Sequence, residues 1–207
     1  MSEHEDTAWF ERLYAAAEAG EASVPWNRGG PNPFLAQWVR EHAGDGAGRR
    51  ALVVGTALGD DAELLASHGY AVTAFDVAPT AIERAVRENP GSRVTYVTAD
   101  LLALPADWAG AFDLVVEAYT VQPLYGPVRG RALAALHVPV APRGTLLVIA
   151  RATTDPDPVR DPAMMPWALT RRELDEAGGP LRLVTVEQFF DDEDPPKLRW
   201  RAEFRRD

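Results

Sequence analysis

The stretch Ala51-Leu-Val-Val-Gly-Thr-Ala-Leu-Gly-Asp-Asp-Ala-Glu-Leu-Leu65 constrains this chain more than any other. Leu52, Val53 and Val54 form an unbroken apolar run, the pattern of a strand covered on both faces of a parallel sheet. Gly55 and Gly59 then free the backbone for a sharp turn and a close approach to a ligand. Asp60 or Asp61 suits the start of a helix whose apolar side is Ala62, Leu65 and Ala66. A strand, a glycine-bracketed turn and a helix in that order mark where open α/β sheets bind nucleotide-like ligands.

The same alternation continues downstream. Ala71–Phe75 reads as a second strand ending at Asp76, and Val94–Val97 as a third ending at Asp100. Phe112–Val116 reads as a fourth ending at Glu117, and Thr145–Ala150 as a fifth. Helices are expected over 79–88, opened by Pro79, and over about 127–138. Thr153–Trp167 holds four prolines and is read as irregular. Thr170 and Glu173 then spell a capping box for a short helix. Leu181–Phe190 and Leu198–Phe204 flank an acidic turn and read as an antiparallel hairpin. Ahead of the first strand, helices are expected over 5–19 and 33–43, with a rigid irregular segment between them. The fold class that follows is α/β: a Rossmann-like, doubly wound, seven-stranded sheet, mainly parallel with an antiparallel C-terminal hairpin, plus an N-terminal helical cap. A single domain is expected over 1–207, with 1–45 as a cap over the active site and 46–207 as the cofactor-binding core.

Composition removes several classes of function. A net charge of −10 argues against general affinity for nucleic acid or anionic membrane, since phosphate neutralisation needs clustered cations. The absence of cysteine excludes disulfides, thiolate zinc sites, iron–sulfur clusters and a cysteine nucleophile. The four histidines show no ligand spacing, and no metal site is expected. The acidic N-terminus lacks the apolar core of a signal peptide, and no apolar run approaches the ~20 residues that span a bilayer. These features predict a soluble cytoplasmic protein, a monomer or homodimer, acting on a small molecule.

Gly55/Gly59, Asp76, Asp100 and Glu117 all fall just after successive strands, and in a doubly wound sheet such ends share one edge. Asp76, with Val77 beside it, is placed to accept hydrogen bonds from ribose hydroxyls. An acid after the third strand, Asp100, can reach an adenine amino group. Dinucleotides favour Gly-x-Gly-x-x-Gly, whose helix N-terminus receives a pyrophosphate. Here Asp60-Asp61 at that helix start would repel a pyrophosphate but tolerate a cationic sulfonium with an amino-acid tail. Electrostatics therefore favours S-adenosylmethionine over NAD.

From Ala51 onward the chain resembles the class I S-adenosylmethionine-dependent methyltransferases. Val24-Pro-Trp-Asn-Arg-Gly-Gly-Pro-Asn-Pro33 is in addition similar to the Pro-Trp-Asp-x-Gly-x-Pro-x-Pro signature of the thiopurine, thiol and halide methyltransferases. The resemblance implies that Gly55, Thr56 and Gly59 hold the methionyl part, that Asp76 binds the ribose, and that Asp100 and Leu101 lie near adenine. It implies that Glu117–Gln122 lines the methyl-transfer side. Ala57 stands where the family's middle glycine would be, and Asn27 replaces its aspartate.

Methyl transfer needs alignment, exclusion of water and, for some acceptors, removal of a proton. Glu117 and Tyr119 are the candidate catalytic groups, serving as a base for an oxygen or nitrogen acceptor. Trp9, Tyr14, Trp26, Tyr119, Gln122 and Trp167 are the candidate acceptor pocket, because aromatic faces suit a sulfonium and a flat acceptor. Trp26, Asp60 and Glu117 are counted with the cofactor residues as well. A thiol acceptor is expected first, since a thiolate needs little general-base help. An O- or N-methyltransferase, a non-catalytic S-adenosylmethionine-binding protein and an NAD-dependent oxidoreductase are the alternatives.

Overall fold

The computed structural model describes residues 7–24, 26–27, 29–43, 46–161 and 165–207. Pro25 and Arg28 of the irregular segment and Met164 of the proline-rich segment lie outside the described residues. The chain divides into two compact units, Met1–Pro105 and Ala106–Asp207.

In the first unit, β1 (Arg50–Val54) buries Ala51, Leu52, Val53 and Val54. It runs parallel to β2 (Ala71–Asp76), with Val54 opposite Phe75. β3 (Thr95–Thr98) lies parallel to β2 on its other side, with Thr98 opposite Asp76. The helices are α1 (Ala8–Glu18), α2 (Pro33–Trp38), α3 (Asp60–Ser67) and α4 (Pro79–Glu88). Asn32 caps α2 by accepting the Phe34 N–H, and α2 passes into a π-helical turn over Val39–Ala43. The apolar side of α3 is Ala62, Leu65 and Ala66, as its spacing predicts. α4 starts at Pro79 and buries Ala81, Ile82 and Ala85.

The cap belongs to this unit, and α4 takes its own N-terminal cap from α1. Glu11 accepts the Thr80 backbone N–H at 3.1 Å and the Thr80 hydroxyl at 2.5 Å. A carboxylate at a helix start satisfies an orphan donor and complements the dipole, an arrangement usually supplied by the adjacent residue.

In the second unit, β4 (Phe112–Ala118) is followed by α5 (Gly126–Ala135) and by β5 (Val140–Arg151), which is parallel to β4. β5 begins earlier than its pattern predicts and takes in Pro142. The register slips between Phe112 and Leu114, so the first residues of β5 form an irregularity where a missing N–H does no harm. Gly144 is needed there, since a Cβ would lie 2.8–2.9 Å from the carbonyls of Ala141 and Phe112. α6 (Arg171–Gly178) opens with the capping box of Thr170 and Glu173. β6 (Arg182–Phe190) and β7 (Leu198–Arg205) form the expected antiparallel hairpin, with β7 against β5.

The strand order is β3-β2-β1-β4-β5-β7-β6, seven strands in one mixed sheet. Among the described residues no helix is long and apolar enough to cross a membrane, and no cluster of histidine and carboxylate side chains suits a metal ion.

Candidate active site

In the first unit the turn after β1 is held from several directions. Gly55, Ala57 and Gly59 all have positive φ, at 63°, 49° and 95°. Thr56 N–H donates to the Phe75 carbonyl at 2.8 Å, and Ala57 N–H to Asp76 Oδ2 at 3.1 Å. Asn89 Nδ2 donates to the Leu58 carbonyl at 3.1 Å. Gly59 faces Tyr96, whose hydroxyl would stand 2.2 Å from an added Cβ and donates to Glu63 Oε1 at 2.7 Å. Glycine is therefore required at 59 on both conformational and steric grounds.

Ala57 occupies left-handed space without being glycine, which costs roughly 1–2 kcal/mol. Ala57→Gly is expected to raise stability by up to about 1 kcal/mol, the relieved strain less the extra entropy of a glycine in the unfolded chain. Urea denaturation checks this, and a loss of stability would show that the Ala57 methyl does packing work against Tyr14 and Leu58.

Asp76 ends β2 with only 6% of its surface exposed. Its carboxylate accepts from Ala57 N–H and, at 3.0 Å, from Ala78 N–H, with Val77 N–H also donating. Burial pushes its pKa up to about 6 against the lowering effect of those three donors. A carboxylate has about four lone-pair sites, so three donors leave room for a ligand hydroxyl. Asp100 lies two residues beyond Thr98, the partner of Asp76, and caps a 3₁₀ turn by accepting the Leu102 N–H at 2.9 Å. Leu101 is buried beside it. The Thr56 hydroxyl is buried in the turn and has no hydrogen-bond partner among the described residues. These features fit a polar, nucleoside-bearing ligand at this strand end: a glycine turn, a spare hydroxyl and a carboxylate with one free position.

Asp60 and Asp61 have a use that their position in the sequence does not reveal. Asp61 Oδ1 accepts the Asn32 N–H at 2.7 Å, and Asp60 accepts the Gly30 N–H. The two carboxylates tie the segment before α2 to the start of α3. Burial raises the pKa of Asp61 to about 6 and is the first cause that raises that of Asp60.

The aromatic residues of the cap gather on the glycine turn. Tyr14 is buried with Val24, Leu58, Ala78 and Ala81, and Phe10, Trp26 and Ala57 pack against them. Trp26 Nε1 donates to the Tyr14 hydroxyl at 2.8 Å, and Trp9 meets Trp26 edge-on at 6.1 Å. Tyr14 is thus a core residue whose hydroxyl is already engaged, while Trp9 and Trp26 remain half-buried.

In the second unit, Glu117 is fully buried on β4. Oε1 accepts the Val121 N–H at 3.1 Å, the Thr120 N–H also donates, and Oε2 has no hydrogen-bond partner among the described residues. Burial raises its pKa to about 7, despite those donors and the Arg129 cation. Tyr119 has φ 65°, a left-handed conformation rare for an aromatic residue. Its ring lies under the Arg199 guanidinium, 5.1 Å from the centroid.

Gln122, expected in the pocket, is instead a backbone staple. Nε2 donates to the carbonyls of Arg151 (3.1 Å) and Trp167 (2.8 Å), and Oε1 accepts the Arg151 N–H at 2.8 Å. Both of its amide donors are thereby spent on the chain. Trp167 is buried, donates Nε1 to the Asp161 carbonyl at 2.8 Å and tilts against Tyr125 at 5.5 Å. The sequence reading missed Arg129, which runs through this unit as a buried cation.

The buried carboxyls set the pH dependence of stability. Asp61, Asp76 and Glu117 hold protons more tightly folded than unfolded, so their contribution falls as pH rises from about 4 through 6 to 7. Asp191 and Glu173 are held below their ordinary values by arginines and by backbone and side-chain donors, and their contribution is lost as pH falls below about 4. Thermal melts without ligand are therefore expected to peak near pH 4 and to decline towards pH 7. A melting temperature still rising from pH 6 to 8 would contradict the burial of these groups.

Residues 51–144 match the family model described as a methyltransferase domain. A ubiquinone biosynthesis O-methyltransferase of Azotobacter vinelandii is 38% identical over 86 residues, 41% of this chain and 37% of that protein. The chain thus spans little more than a third of the length of the curated relatives it matches. The N-methyltransferase NodS of Bradyrhizobium japonicum, solved with S-adenosyl-L-homocysteine, is 26% identical with a TM-score of 0.71, covering 97% of this chain and 98% of that one. The 1,6-didemethyltoxoflavin-N1-methyltransferase of Burkholderia thailandensis is 18% identical with a TM-score of 0.75, covering 100% and 91%. The chain has the Rossmann-like α/β fold of the solved methyltransferases, and its residues 51–144 match a methyltransferase domain.

Proposed function

We propose that the protein transfers a methyl group from S-adenosylmethionine to an oxygen or nitrogen of a small molecule. The observation that carries this reading is Glu117: a fully buried carboxyl with one oxygen uncommitted and a pKa near 7. A general base works best with a pKa near the operating pH, and oxygen and nitrogen acceptors must lose a proton to be methylated. The likeness to an O-methyltransferase and to an N-methyltransferase supports the same choice. The thiol acceptor that the N-terminal signature suggests finds no support in those relatives.

The cofactor supplies a methyl group already activated on a sulfonium. This chain's residues would bind and orient. Gly55, Thr56 and Gly59 with the α3 start would take the methionyl part, Asp76 and Val77 the ribose, and Asp100 and Leu101 the adenine. Trp26 and Trp9 of the cap would shield the cofactor from water. Glu117 would hold the acceptor's proton, with Tyr119 and Trp167 as apolar walls for the acceptor. On this reading 1–207 acts as one cytoplasmic methyltransferase domain.

A panel of phenols, amines and thiols incubated with methyl-labelled cofactor tests the proposal. Label transfer to a phenol or amine is expected. Transfer confined to thiols would overturn the acceptor class, and cofactor binding without transfer to any compound would favour a binding protein.

A further inference from the structure

Arg129 lies on α5 between Val128 and Gly130, yet it is 2% exposed. Its Nη1 donates to the carbonyls of Val121 (3.3 Å), Gln122 (2.9 Å) and Leu124 (3.3 Å). Three carbonyls from so short a stretch point at one cation only if the chain curls around it. That same curl leaves the Val121 N–H on Glu117 Oε1. Nη2 reaches the carbonyls of Trp167 (3.4 Å) and Ala168 (3.3 Å), and Nε pairs with Glu173 at 2.6 Å. Glu173 also holds Arg160 at 2.6 Å. One planar fork therefore ties the loop after β4 to the loop after β5 and to α6.

We infer that Arg129 is a positioning residue for Glu117: by gathering the carbonyls of Val121, Gln122 and Leu124, it fixes the loop whose amides orient that carboxyl. A buried ion pair adds little net stability compared with apolar residues of the same volume, whereas a fork with many acceptors specifies geometry. Arg129 is also a charge acting on Glu117. From the neighbouring strand β5, uncharged Val148 stands opposite Glu117, and on the loop Tyr119 is turned onto Arg199 of β7. The inference rests on the reading of Glu117 as the base.

The test uses the full chain with Arg129→Gln/Glu173→Gln, which removes both buried charges together, and with Arg129→Lys, which keeps the charge but loses the fork. Protonation of Glu117 is followed by the infrared band of its neutral carboxyl, assigned by its loss in Glu117→Gln. Exchange of the Val121 amide is followed by NMR. In the double variant the midpoint is expected to move upward from about 7 and the Val121 amide to exchange at least ~10-fold faster, because the cation that acts on Glu117 is lost and the loop carrying the Val121 donor is loosened. Arg129→Lys is expected to speed exchange with a smaller change in midpoint, and S-adenosylhomocysteine affinity by calorimetry is expected to stay the same in both. A midpoint that stays put or falls in the double variant, or a Val121 amide as protected as before in both variants, would overturn the inference. Loss of activity in Glu117→Gln bears on the base reading alone, so the two can fail separately.

Discussion

Glu117→Gln is expected to slow methyl transfer by about 10²- to 10⁴-fold, the usual worth of a positioned general base. Glutamine keeps the shape and an oxygen for the Val121 N–H, so the loop after β4 is retained and the proton-accepting function is lost. S-adenosylhomocysteine affinity is expected to be little changed. The rate of the parent protein should fall as pH drops through about 7, because Glu117 becomes protonated, while the residual rate of the variant should not follow that step. A rate reduced less than about tenfold would point to an acceptor that arrives already deprotonated, as a thiolate does. The measurement therefore tests the role of the residue and the class of acceptor together.

Asp76→Ala is expected to weaken S-adenosylhomocysteine binding by roughly 1.5–3 kcal/mol, the worth of a charge-assisted hydrogen bond. It should also destabilise the unliganded protein, because the N–H groups of Ala57, Val77 and Ala78 lose their acceptor. Asp76→Asn removes the charge and keeps one acceptor oxygen, but its NH2 then faces either the Ala57 or the Ala78 N–H. The asparagine variant is expected to lose affinity and, with one backbone donor left unpaired, to lose less stability than the alanine variant. Calorimetry beside urea denaturation reads both quantities. Unchanged affinity in a folded Asp76→Ala would remove the ribose from this strand end.

Much of the fold could be read from short-range patterns. The apolar run before Gly55, Pro79 at the first turn of α4, the Thr170–Glu173 capping box and the acidic turn between β6 and β7 all act within a few residues. What escaped was set by partners far along the chain. The backbone partners of Asp60 and Asp61, Gly30 and Asn32, lie about thirty residues upstream and give no local signal. Gln122 looks like a pocket residue until Arg151 and Trp167 are seen to use it. Arg129 carries no periodic signal at all, since a lone arginine on a helix is ordinarily solvated. The glycine turn itself was legible, but the left-handed Ala57 was visible only as a departure from a family pattern.

The cap that α1 gives to α4 bears on how the chain is made. Glu11 and Thr80 are 69 residues apart, so α1 leaves the ribosome long before the helix it completes. Until then Tyr14 has Val24 and Leu58 to pack on but lacks Ala78 and Ala81. Docking of α1 onto α4 can follow only once α4 has been made. Pulse-labelled nascent chains halted before and after residue 88 would place that moment.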